Sequence, residues 1–241
     1  MPFLPTLNAP FVRKAVLTLA VADCALVMLG LILTPTTLTA SRQGWLGGTA
    51  AVAMLAIYGV LGVVGSPAVE RRNPRILPIA SLFGLTIGII FVAEMLFEYI
   101  ILPSSKGNER LAYLEFVGMF LCLFLAGLKG GQATGNVWHG VLTAIWSTMI
   151  GSLIWVASLL STYYAFIGTA RQEQVLAADQ VFEDFKRSGM TDLRAFVMQD
   201  YLGGVFFHLL LGLIVAAILG MIGALVAKLL ICQRPVRSAN T

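Results

Sequence analysis

Four acids stand inside long apolar runs of this sequence: Asp23, Glu94, Glu98 and Glu115. No Lys or Arg lies deep in any of those runs. A carboxyl group in an apolar medium must be protonated, paired or hydrogen-bonded. Asp23 falls near the middle of its run. Glu94 lies about 12 Å inside the end of its own run at the helical rise per residue. These two are the candidate intramembrane ion or proton site. Glu98 and Glu115 lie near run ends in one leaflet. With His208, which enters its run from the same side, they form a candidate outer polar cluster able to respond to protons.

The partners available to Asp23 and Glu94 are the hydroxyls of the fifth apolar run: Thr143, Ser147, Thr148, Ser152, Ser158, Ser161 and Thr162. They supply either a polar lining or hydrogen bonds that join helices. Glu94 and Glu98 are four apart and share a helix face. A carboxylate-bridged metal site wants a Glu-x-x-His pair or more ligands, and no such pair occurs. His139 and His208 are expected toward opposite faces, so no shared metal site is expected. Cys24, Cys122 and Cys232 follow no zinc or redox spacing and read as apolar filler. Cys232, at a membrane exit, is also an acylation candidate.

No Gly-x-Ser-x-Gly, His-Glu-x-x-His or P-loop pattern is present. The glycine-rich stretch Lys129-Gly130-Gly131-Gln132-Ala133-Thr134-Gly135 lacks the Lys-Ser/Thr of a phosphate loop and reads as a turn. No catalytic residue, metal or cofactor is expected. No basic patch is interleaved with aromatics, so no nucleic-acid partner is expected.

The elements that must position these acids follow from composition. Of 241 residues, 58% are hydrophobic and 12% charged, about half the charge of a soluble domain. The mean hydropathy is +0.87. A spanning helix needs about 20 apolar residues. Six runs qualify, at 15–33, 45–64, 76–102, 111–128, 137–167 and 202–231. The expected fold is an all-α integral membrane protein, 1–241 forming one polytopic domain with a six-helix bundle. Asp23 and the length of the first run argue against a cleaved signal peptide. Trp45, Trp138 and the pair Tyr163-Tyr164 sit where interfacial aromatics belong, and Pro103 stops the third run.

Residues 171–201 read as an amphipathic helical hairpin between the fifth and sixth spans. One helix carries Val175, Ala178, Phe182 and Phe185 at three- and four-residue spacing. Ser188-Gly189 breaks it. The second is capped by Thr191 and shows Leu193, Phe196, Val197 and Tyr201 on one face.

Six spans place both termini on one side, with nine basic residues: Arg13, Lys14, Arg71, Arg72, Arg75, Lys129, Lys228, Arg234 and Arg237. Glu70 is the only acid there. The other side has seven: Arg42, Lys106, Arg110, Arg171, Lys186, Arg187 and Arg194. The positive-inside rule puts both termini in the cytoplasm, in a bacterial inner or plasma membrane, with the hairpin outside.

The sixth run carries a small-residue stripe, Gly204, Gly212, Ala216, Gly220 and Ala224, with His208 and Lys228 on the same four-residue repeat. Such spacing lets helix backbones approach, within the chain or between copies. Ala80, Gly84 and Gly88 repeat it in the third run, a short match that a three-plus-three inverted repeat would produce.

The expectation is a non-enzymatic integral membrane protein of the cell envelope, a subunit or accessory scaffold acting through helix packing and its hairpin. Its partners would be the bilayer and other membrane subunits or its own copies. The alternative is a small proton- or cation-coupled transporter or channel using Asp23 and Glu94.

Overall fold

Apolar runs this long leave the backbone no water to bond, so its polar groups pair along helices. The computed structural model describes residues 9–39, 42–101 and 105–232, with side chains for 10–39, 44–100 and 113–232. Pro103, Arg234 and Arg237 lie outside the described residues, as do the side chains of Arg42, Lys106 and Arg110. All regular structure among the described residues is helical: α1 Ala9–Leu33, α2 Thr36–Thr39, α3 Arg42–Val60, α4 Ser66–Arg72, α5 Ile76–Leu96, α6 Ser105–Thr134, α7 Val137–Phe166, α8 Ala170–Ala178, α9 Val181–Ser188 and α10 Leu193–Cys232. Six helical stretches are long and apolar enough to cross a membrane, which fits a multi-pass integral membrane protein. Large apolar side chains such as Ile32, Val64, Ile89, Leu114 and Phe207 point outward on them.

Three boundaries differ from the sequence expectation. The second span runs on through a π-helical turn, Leu61–Gly65, into α4. Pro67 has no N–H to give the preceding turn. The Ser66 hydroxyl, 2.6 Å from the Gly62 carbonyl oxygen, supplies a donor there. Asn73, in an extended conformation, ends the helix.

The glycine-rich stretch 129–135 is not a turn but the last turns of α6, ending only at Gly135 with φ +68°. Gly130 and Gly131 stay helical because neighbours lie against them, Thr143 and Gly140 on one, Ala224 and Ala227 on the other. Asn136 then caps α7, its side chain accepting from the Trp138 N–H at 2.9 Å.

The hairpin is the third difference. Its first helix is split at Asp179–Gln180, where Gln180 takes φ +60°. Its second helix is fused to the sixth span, making α10 40 residues long, about 60 Å. Asp192 is the cap rather than Thr191. Asp192 Oδ1 accepts from the backbone N–H groups of Arg194 at 3.0 Å and Ala195 at 3.2 Å. Its Oδ2 accepts from the Thr36 hydroxyl at 2.7 Å, tying the start of α10 to α2.

Helix α7 is the hub, far more buried than the other five spans. Glycines bring its neighbours close. Gly84 and Gly88 of α5 lie against Ile150 and Ile154. Gly127 of α6, Gly140 of α7 and Gly220 of α10 meet at one point, where a Cβ on any of them would strike a neighbouring backbone or methyl. From Gly212 onward on α10, and at Gly84 and Gly88 on α5, the small-residue stripes therefore share a physical job, close approach to α7.

Candidate functional site

The π-helical turn Phe97–Ile101 ends the third span and carries Glu98. One turn earlier on α5 is Glu94, whose carboxyl neighbours that of Glu115 of α6. Glu98 likewise neighbours Asp179, at the break between α8 and α9. Two neighbouring carboxyls can hydrogen-bond only when one of them carries a proton. Four acids from three parts of the chain thus form a ladder from the outside of the bundle inward. Asp179 is an exposed residue whose carboxyl turns onto Glu98. Burial of that carboxyl raises its pKa above the ordinary value, and the neighbouring Glu98 side chain partly offsets the rise. Arg171 holds the frame beside them, donating from Nη2 to the Ile100 carbonyl at 2.9 Å.

The ladder joins Glu94, Glu98 and Glu115, which the sequence assigned to two sites, and adds Asp179, which the sequence reading missed. The break that places Asp179 has no Gly or Pro to mark it. No group of described His, Cys, Asp or Glu residues is placed to hold a metal ion.

His208 is not part of this ladder. Its ring stacks on Trp155 of α7, centroids 4.0 Å apart and 15° from parallel, and meets the edge of Phe91 at 5.1 Å. Among the described residues it makes no ion pair or hydrogen bond with Glu98 or Glu115. The physical reason lies in the stripe: His208 falls between Gly204 and Gly212 on the face that packs on α7, where aromatic rings fill the space.

Asp23 stands apart from Glu94. It is wholly buried, and neither carboxyl oxygen has a hydrogen-bond partner among the described residues. Its face of α1 carries Val12, Val16, Ala20 and Val27, all buried in the apolar core. The hydroxyls of α7 do not reach it. Thr143 and Ser147 donate to carbonyls one turn back, His139 at 2.7 Å and Thr143 at 2.8 Å, while Thr148 and Ser152 line the approach of Gly212.

The expected aromatic belt is also divided. Trp45 and Trp138 are exposed. Tyr163 is buried, and Tyr164 donates to the Leu26 carbonyl at 2.7 Å. Tyr99 and Tyr201 share a hydrogen bond of 3.1 Å, so this tyrosine group joins α1, α7 and α10 to the end of the third span.

The stripe on α10 has two fates. Ala216, Gly220 and Ala224 are buried against α6 and α7, and Gly212 faces Thr148. Gly204 meets open space. It borders a crevice of about 940 Å³ between α3, α7 and α10, lined by Leu46, Trp155, Leu159, Phe207 and Asp200 among others. The free cysteines play no part in it: Cys122 is buried, Cys24 half-buried and Cys232 exposed. Searches against protein-family models, curated proteins and solved structures each return no match.

Proposed function

We propose that the chain is a non-enzymatic integral membrane subunit or accessory protein of a cell envelope, with both termini in the cytoplasm and the α8–α9 segment outside. It would work by holding a neighbouring membrane segment. One observation carries this reading. The small-residue stripe of α10 is filled by the chain's own helices from Gly212 to Ala224, and its remaining member, Gly204, faces an open crevice. An unfilled glycine beside a crevice is where a second helix backbone can approach closely.

The test is the size of the complex after gentle extraction from the native membrane, for the parent and for Gly204→Leu. The expected result is a stoichiometric complex for the parent and the lone chain for the variant. The reading fails if the parent runs alone or if the two run alike.

A second reading, a small proton- or cation-coupled transporter or channel, is favoured by the carboxyl ladder. A chain of acids sharing protons is a route along which a proton can pass inward from Asp179 through Glu98 and the Glu94–Glu115 pair. This version leaves out Asp23, which packs elsewhere. Proton uptake by liposomes holding the parent, and its loss in Glu94→Gln and Glu115→Gln, would support it. Equal flux in all three would remove it.

A further inference from the structure

We propose that the crevice between α5 and α6 binds an anionic glycerophospholipid, the phosphodiester at its basic lip and part of one acyl chain along its apolar wall. The crevice has a volume of about 390 Å³ and is lined by Ile79, Leu82, Phe83, Lys129, Gln132 and Ala133. That volume lies in the range of sites that hold small ligands. It is open on the outside of the bundle, where Leu82 is 45% exposed. No acid lines it.

Two cations border it, Lys129 in its lining and Arg75 beside it. Lys129 is exposed and makes no ion pair or hydrogen bond among the described residues. Arg75 donates from Nη1 to the Ala133 carbonyl at 3.0 Å, which fixes its guanidinium beside the crevice. That bond uses one of five N–H donors and leaves the rest for an oxyanion.

The charge and the apolar wall are ordered along the helix axis. From Arg75 to Phe83 is eight residues, about 12 Å of rise. Arg75 stands at one end of that length beside Ala133, Lys129 lies one helical turn further in on α6, and Ile79, Leu82 and Phe83 form the apolar wall. This is the profile of a phospholipid, with an anion at the interface and hydrocarbon below it. Basic pockets between spanning helices bind acidic headgroups for this reason. A soluble anion would gain nothing from the apolar wall, and a zwitterionic lipid would bring its own ammonium to a lip that is already cationic.

The test is native mass spectrometry of the full chain in mild detergent, titrated with dioleoyl-phosphatidylglycerol or dioleoyl-phosphatidylcholine. The expected result is selective retention of phosphatidylglycerol. Lys129→Gln should weaken that retention about fivefold, the worth of one basic residue near an acidic headgroup, and Lys129→Arg should keep it. Lys228→Gln removes the same charge at the same end of the bundle, away from the crevice, and should leave retention unchanged. Because Lys129 is exposed and unpaired, its variants should unfold at the parent's temperature. A lipid carrying a photoreactive acyl chain should cross-link to 79–83. The proposal is overturned if the two lipids bind alike, if Lys129→Gln and Lys228→Gln weaken binding equally, or if millimolar inorganic phosphate alone displaces the lipid.

Discussion

Replacing Asp23 by valine should stabilise the protein. The two carboxyl oxygens are sealed in the core with no partner among the described residues, and Val16, Ala20 and Val27 continue the same buried face. Leaving a polar group buried and unbonded costs about 1–3 kcal/mol. Valine removes that penalty and adds a little volume, and mild overpacking takes back about 1 kcal/mol. The net expectation is a gain of about 1 kcal/mol, near the middle of the difference between those two ranges. Asp23→Asn keeps the shape and the unmet polarity, so it should change stability little. The assay is reversible unfolding by sodium dodecyl sulfate in mixed micelles, read by circular dichroism, with the cellular role of each variant scored in parallel. A valine variant less stable than the parent by about 1 kcal/mol or more would refute the reasoning, since it would mean that the carboxyl has a partner worth that much. A valine variant that is stable but inactive would instead return Asp23 to the machinery of the protein.

The same substitution should have opposite results at two places on one stripe. Gly220→Leu drives a side chain into Ala144 and the α7 backbone and should prevent folding or cost more than about 3 kcal/mol, while Gly204→Leu enters open space and should leave the lone chain's melting temperature unchanged. At His208, Phe should preserve the stack on Trp155, whereas Ala should lose about 0.5–1.5 kcal/mol of ring interaction beyond the buried area, both read by thermal unfolding. Asp192→Ala should cost about 1 kcal/mol as a lost cap. The bond from Thr36, followed by those from the Ala195 and Arg194 amides, holds the Asp192 carboxyl below its ordinary value. Its contribution is therefore present above the ordinary carboxylate value of about 4 and fades as pH falls through the lowered one. The stability difference between the parent and Asp192→Ala should shrink on acidification, and a difference independent of pH would contradict a charged cap.

Local chemistry marked the helices and missed their joints. The apolar runs at 76–102 and 137–167 announced spans because a backbone in hydrocarbon has few alternatives to a helix. Gly135 ended α6 and Asn136 began α7 through rules that act over three or four residues. The 129–135 stretch failed by those same rules, since Gly130 and Gly131 look like a turn until Thr143 and Ala224 come to lie against them. Thr191 and Asp192 are adjacent, and either can cap α10. Only the position of Thr36, 156 residues away in sequence, favours the aspartate through a second bond.

The candidate sites divide in the same way. That Asp23, Glu94, Glu98 and Glu115 lie in apolar runs was determined by the sequence alone, as was the four-residue spacing of the α10 stripe. Which acid meets which was decided by the tertiary structure. Asp179 reaches Glu98 because α8 ends without a sequence mark, and Asp23 is stranded because α1 turns that face to the core. His208 leaves the acids for Trp155, and Gly204 alone of its stripe stays open. A periodic pattern specifies a face of a helix, but the identity of what covers it depends on where the other helices cross, and that is a sum over contacts distant in the chain.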